Sequence, residues 1–329
     1  MPKPTSSTRA ALAALTIATT ALLAQPSTAA AASPPAGGPG GPCSFTELTT
    51  HLGTNGDDVI SGTPGPDYIF ALGGDDTIRG LGGDDTVCAG PGDDLVYGGS
   101  GRDSVSVGGG ADVFFGGAGN DDVLAYGGAD DHLFGGDDKD IFTLQITGDG
   151  AGVNTLGILG SKPGVPDSHL DALVVIAKDT VHNLPLVVDA RSGSFRTPGS
   201  AGTGSVRGID AYTFLSAGSQ NRWPLWVDYT GSDAVDDVGV GAGRMKATGG
   251  PGDDRIFAAG GNDVIYGGPG EDAIYSGAGH DVVSGDKGHD DLSGGRGNDR
   301  LYGGLGPDAL DGGPGTDTCV SGATGIRCE

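Results

Sequence analysis

Apolar residues in this chain recur singly rather than in stripes. One returns every nine positions as Ile60, Ile69, Ile78, Val87, Val96, Val105, Phe114 and Val123, and again as Ile256, Ile265, Ile274, Val283, Leu292, Leu301 and Leu310. A period of nine fits no amphipathic helix, and an isolated inward residue suits a strand of about three residues whose neighbours point outward. The rest of each repeat, about six residues rich in glycine, is turn. Two successive repeats then make one coil with strands on opposite faces, and coils stack as parallel strands ~4.8 Å apart. Connections of this kind are right-handed in nearly all proteins. The predicted fold is all-β: a right-handed parallel β-roll (β-solenoid) in two nonapeptide-repeat arrays with a β-rich insertion between them.

The polar positions keep the same ruler. Two residues before each apolar position stands an aspartate: Asp58, Asp67, Asp76, Asp85, Asp94, Asp103, Asp112, Asp121 and Asp130 in the first array, and Asp254, Asp263, Asp272, Asp281, Asp290, Asp299, Asp308 and Asp317 in the second. Two residues before each aspartate is a glycine, from Gly56 to Gly128 and from Gly252 to Gly315. A low-complexity Gly/Asp linker would not hold apolar residues in register with them. Strict counting puts His132 and Cys319 on the last apolar positions of the two arrays, where a core site is half exposed. The phase slips by one near residues 121–131, after which Asp131 and Asp140, with Leu133 and Phe142, continue more loosely.

Composition sharpens this picture. Of 329 residues 67 are glycine, and 43 acidic against 18 basic residues give a formal charge of −25. Only Glu47, Glu271 and Glu329 are glutamate, so the acid is nearly all the short carboxylate that turns favour. Such a charge disfavours nucleic acid and anionic membrane and makes cations the natural partners. Stacked coils would line both edges with carboxylates some 5 Å apart, each neighbouring pair repelling by roughly 1–3 kcal/mol. Over a dozen pairs, that exceeds the 5–15 kcal/mol stability of a typical domain. A divalent cation between adjacent turns resolves the conflict. Ca²⁺ accepts six to eight oxygens and can draw on backbone carbonyls beside the carboxylates, whereas Mg²⁺ demands strict octahedral geometry. The repeats carry neither the thiolates nor the imidazoles that zinc prefers. The expected ligands are the seventeen aspartates named above.

The motifs GGSGRDSVS (Gly98–Ser106), GGPGEDAIY (Gly267–Tyr275) and GGRGNDRLY (Gly294–Tyr302) closely resemble the repeats-in-toxin, or haemolysin-type, calcium-binding repeat. The resemblance covers about half the chain and implies calcium-loaded parallel β-rolls. It does not specify biology, because that repeat is attached to toxins, proteases, lipases, adhesins and surface-layer proteins. Turns opening at Ala71, Ala89, Val107 and Ala258 lack an opening glycine of the pattern, which is expected to loosen their sites.

Lys3 and Arg9 precede an apolar run from Ala10 to Ala24 and a small-residue stretch, the layout of a cleaved signal peptide and too short to span a bilayer. This resembles the Sec-exported members of the repeat family, so a secreted protein is expected. The domain reading is signal peptide 1–32, linker and N-terminal cap 33–52, first roll 53–143, β-rich insertion 144–230, second roll 231–320 and C-terminal cap 321–329. Four cysteines in an exported chain favour the disulfides Cys43–Cys88 and Cys319–Cys328; in ideal coil geometry the second pair falls on opposite faces, so the last turn must tighten. Asp236 and Val238 are in phase with the second array, while Met245 occupies the next aspartate position.

No catalytic residues are assigned. The insertion holds His169, Asp171, His182, Asp189, Ser192 and Ser194, yet no HExxH helix, GxSxG elbow or P-loop occurs. Trp223, Trp226 and Tyr229 suit core packing of the insertion, or alternatively an aromatic surface for a sugar or a partner. The function expected is non-enzymatic, secreted calcium binding. The alternatives are a cell-envelope adhesin with a cell-wall or polysaccharide partner, and a hydrolase carried by 144–230.

Overall fold

The computed structural model describes Cys43, residues 50–126 and 131–147, the strands of the stretch 157–217, residues 225–320 apart from 233–234 and 242, and residues 326–328. Every described residue lies within the unit Gly37–Glu329. The expected signal peptide lies outside the described residues. Among the described residues there is no helix. The described strands form two sheets of 14 and 15, each taking alternate strands in chain order except that the consecutive strands Leu186–Asp189, Ser194–Arg196 and Gly204–Arg207 all join the larger sheet.

Pairing follows the two-repeat coil. One sheet runs Ile60↔Ile78↔Val96↔Phe114 and the other Ile69↔Val87↔Val105↔Val123, all parallel and eighteen residues apart. In the second array Ile265↔Val283↔Leu301↔Cys319 and Ile256↔Ile274↔Leu292↔Leu310 repeat the rule. Ile69, Ile78, Val87, Val96, Val105 and Phe114 are all 0% exposed, so the apolar position of each repeat lies in the core as the nine-residue period predicts, and Ala71, Ala89 and Val107 add a second buried residue in alternate repeats.

The register through residues 114–142 corrects the strict count. Phe114 pairs with Leu133 and Val123 with Phe142, steps of nineteen. Leu133 is therefore the buried residue, while His132, expected on the apolar position, is exposed. One added residue in the turn shifts which side chain faces inward, because alternation along a strand has a period of two.

The strands of the expected insertion carry both sheets onward. Phe142 pairs with Leu173, Leu173 with Tyr212 and Tyr212 with Val238, all parallel. In the second sheet Leu133 pairs with Ile158 and Ile158 with Val206. The chain then reverses through the antiparallel strands Gly204–Arg207, Ser194–Arg196 and Leu186–Asp189, and resumes parallel pairing at Val188↔Tyr229 and Tyr229↔Ala247. Large aromatics fill the core here: Phe214 is fully buried, and Tyr212 packs tilted on Tyr229 with ring centroids 5.3 Å apart.

Both disulfides are present, with Cα–Cα separations of 5.7 Å for Cys43–Cys88 and 6.1 Å for Cys319–Cys328. Cys319 lies in the strand Thr318–Val320 of one sheet, and Cys328 follows the strand Ile326–Arg327 of the other. Their Cα separation is well under the ~10 Å between packed sheets, so the last turn does tighten.

Candidate metal centre

The aspartates are held by the coil rather than by their own turn. Asp67 donates its backbone N–H to Oδ1 of Asp85 at 2.9 Å, Asp85 to Asp103, and Asp103 to Asp121, one coil at a time. The opposite edge repeats the ladder from Asp58 through Asp76 and Asp94 to Asp112. In the second array one ladder runs Asp236, Asp254, Asp272, Asp290, Asp308, and the other Met245, Asp263, Asp281, Asp299, Asp317. Stacking alone thus fixes each carboxylate by one oxygen and buries it: Asp103 and Asp112 are 0% exposed.

The second oxygen has no such partner. Oδ2 of Asp76, Asp85, Asp94, Asp103, Asp112 and Asp121, and of Asp254, Asp263, Asp272, Asp281, Asp290, Asp299 and Asp317, is buried without a hydrogen bond. Leaving a buried polar atom unpaired costs about 1–3 kcal/mol, and more when it is charged. Burial is accordingly the leading cause that drives Asp94, Asp121, Asp263 and Asp272 upward from 3.8 to about 7 and Asp112 to about 8, with neighbouring carboxylates adding to it.

At Asp85, Asp103, Asp121, Asp254 and Asp299 the free oxygen shares a cradle with a backbone carbonyl of the next coil. A Cβ placed on Gly80 would meet both Oδ2 of Asp85 and the carbonyl of Gly98, one coil on. Gly98 stands in the same relation to Asp103 and the Gly116 carbonyl, and Gly294 to Asp299 and the Gly312 carbonyl. The first residue of these turns is glycine because a side chain would fill the cradle. At Ala71, Ala89, Val107 and Ala258 the side chain is buried in the core instead, and Oδ2 of Asp76, Asp94, Asp112 and Asp263 is unpartnered all the same.

Such a cradle suits a hard cation. Among the described residues no three His, Cys, Asp or Glu side chains converge, so an ion between coils would meet carboxylate and carbonyl oxygens. That donor set is the one calcium takes, and it lacks what zinc requires. The residues present fit Ca²⁺.

Several site features departed from the count along the chain. The ladder position after Asp112 belongs to Asp131, nineteen residues on, and that after Asp121 to Asp140; Asp130 lies outside the described residues. Asp236 joins the ladder although it was not among the expected ligands, and only its phase with the second array pointed to it. Its Oδ1 accepts from the Tyr229 hydroxyl at 3.0 Å and its Oδ2 from the Ser232 N–H at 2.9 Å. Tyr229 is therefore a core residue rather than part of an aromatic surface; Trp223 lies outside the described residues.

A second, exposed ladder went unforeseen. Asp57 accepts from the N–H of Asp75, Asp75 from Asp93, and Asp93 from Ala111, while Asn262, His280 and Asn298 do the same in the second array. Of the hydrolase candidates, Asp189 and Ser194 are directly opposite in an antiparallel pair, and His169, Asp171, His182 and Ser192 lie outside the described residues.

The RTX calcium-binding nonapeptide repeat matches the chain in four copies, at residues 52–87, 89–123, 248–283 and 284–319. No curated protein matches the chain. The four copies fall on the coils that carry the buried aspartate ladders and leave out the aromatic stretch between them. Both arrays of this β-roll thus match the RTX calcium-binding nonapeptide repeat.

Proposed function

We propose that this is an exported, non-enzymatic calcium-binding protein whose coils order around Ca²⁺ held between successive turns. The observation that carries the reading is the unpaired, buried Oδ2 repeated coil after coil, beside a backbone carbonyl at Asp85, Asp103, Asp121, Asp254 and Asp299. Asp76, Asp85, Asp94, Asp103, Asp112 and Asp121, and Asp254, Asp263, Asp272, Asp281, Asp290, Asp299, Asp308 and Asp317, would supply the carboxylates, with Asp131 and Asp140 continuing the first array. The ion would supply charge neutralisation at the coil edges. Without it, thirteen unpaired oxygens at even 1 kcal/mol each match or exceed the net stability of a domain.

Extracellular calcium sites commonly have dissociation constants of about 10⁻⁴–10⁻³ M, so such coils would stay unformed at cytoplasmic calcium and order after export. Two disulfides and the N-terminal leader pattern support that compartment. Circular dichroism in excess chelator is expected to show loss of β signal, with cooperative recovery on adding Ca²⁺. A chelator-insensitive spectrum with no calcium bound would overturn the reading.

A second reading, an envelope-associated module, draws on the exposed rings of one sheet face. Tyr97, Phe115 and Phe134 stack at 5.3 and 4.9 Å, and Tyr266 and Tyr302 are exposed in the same sheet. Retention of the calcium-loaded protein on cell-wall polysaccharide, lost in Phe115→Ser, would favour it; equal retention of both would count against it.

A further inference from the structure

The turns are not equal in what they offer a cation, and the difference lies in the residue four before each aspartate. At Thr54 and Thr63 that residue donates its N–H to Oδ2 of Asp58 and Asp67, each at 2.6 Å, and at Ser232 to Oδ2 of Asp236 at 2.9 Å. The Thr54 hydroxyl adds a second bond to Asp58 Oδ2 at 2.9 Å. In these three turns the oxygen that would face a cation is already spent.

Elsewhere the same position takes a left-handed backbone. It does so at Gly99, Gly117, Gly250 and Gly295, and also at Leu72 (φ 83°), Leu81 (φ 80°) and Asp286 (φ 73°). This turns the N–H away: those of Gly250 and Gly295 go to the carbonyls of Gly267 and Gly312, and Oδ2 of the following aspartate is left unpartnered. For leucine such a backbone costs roughly 1–2 kcal/mol, a strain worth keeping only if an open oxygen is useful. Ala259 reaches the same end differently, giving its N–H to the Val240 carbonyl while Asp263 Oδ2 stays open.

We propose that the residue four before each aspartate selects whether its turn takes a cation. Leu72 and Leu81, like the glycines, hold their turns open, whereas Thr54, Thr63 and Ser232 close theirs as metal-independent caps. The closed turns begin three of the four aspartate ladders, and the fourth begins at Met245, which has no carboxylate. Each ladder therefore starts on a turn that is complete without metal. β-Branched threonine resists the left-handed region, so it keeps its N–H on the carboxylate. The assignment rests on the calcium reading above.

Calcium stoichiometry of the full chain, by calorimetry and equilibrium dialysis of CaCl₂, tests it with three variants. Leu81→Thr is expected to bind one ion fewer than wild type, Leu81→Gly the same number, and Thr63→Gly one more. Unchanged stoichiometry in both Leu81→Thr and Thr63→Gly, with wild-type β signal in calcium, overturns the selector while leaving the calcium reading intact. A wild-type protein that binds no calcium overturns both. If Leu81→Thr does not fold, Thr63→Gly decides: one added ion supports the selector, and no change refutes it.

Discussion

Asp121→Asn separates a ligand from an ordinary hydrogen-bonding residue, because the two roles predict opposite signs without metal. The amide is nearly isosteric and keeps the acceptor that takes the Asp103 N–H at 2.9 Å. It loses the charge, and burial has pushed that carboxyl up from 3.8 to about 7, with the Asp103 and Asp122 carboxylates adding to the rise. At pH 8 without metal the native state bears the cost of an ionised buried group. Three pKa units at about 1.4 kcal/mol each give ~4 kcal/mol, which solvent screening reduces to about 2–4 kcal/mol. The new amide hydrogen can also point at the Gly135 carbonyl, which shares the Gly116 cradle. The variant is therefore expected to be more stable than wild type in chelator, with a urea midpoint higher by on the order of 1 M for a slope near 3 kcal/mol/M. In millimolar calcium the order reverses, since the variant lacks one charged ligand. Circular dichroism unfolding curves with and without Ca²⁺ read both signs. Destabilisation of similar size in both buffers would refute the argument.

Three further outcomes follow from the same geometry. Because burial holds Asp94, Asp112, Asp263 and Asp272 at about 7, 8, 7 and 7, the native state binds more protons than the unfolded chain between about pH 4 and 8; metal-free stability should fall as pH rises through that window, and a chelator-treated sample should gain β signal on acidification from pH 8 to 5. A flat pH profile would contradict it. Gly98→Ala puts a methyl group 2.5 Å from Asp103 Oδ2 and 2.8 Å from the Gly116 carbonyl, so one ion should be lost from the calcium count, whereas Gly101→Ala, at φ 127°, should lower stability through backbone strain. Tyr229→Phe deletes the hydroxyl bonded to buried Asp236 and should cost about 1–2 kcal/mol, read as a lower Tm in calcium with no ion lost.

Where the nine-residue period runs unbroken, coil, core and ladder were all legible along the chain. A solenoid residue touches chiefly its counterparts one coil away, so the spacing that sets its register is visible in sequence. Asp67, Asp85 and Asp103 needed nothing else to be placed in line. The stretch from Phe142 to Val238 did not yield in this way, because its partners sit at irregular separations and only pairing reveals that Leu173 and Tyr212 continue a column begun by Ile69.

The sequence by itself determined the period, the inward residue of each repeat where the period is unbroken and the carboxylate edges, since each depends on local alternation, and it favoured the two cysteine pairings without deciding them. Tertiary structure alone decided that Asp131 succeeds Asp112, that Asp236 is a rung, and that each carboxylate gives one oxygen to the neighbouring coil and leaves the other free. Those outcomes depend on where backbone N–H groups point once coils are stacked, and a single added residue or one left-handed φ redirects them without disturbing the pattern of residue types.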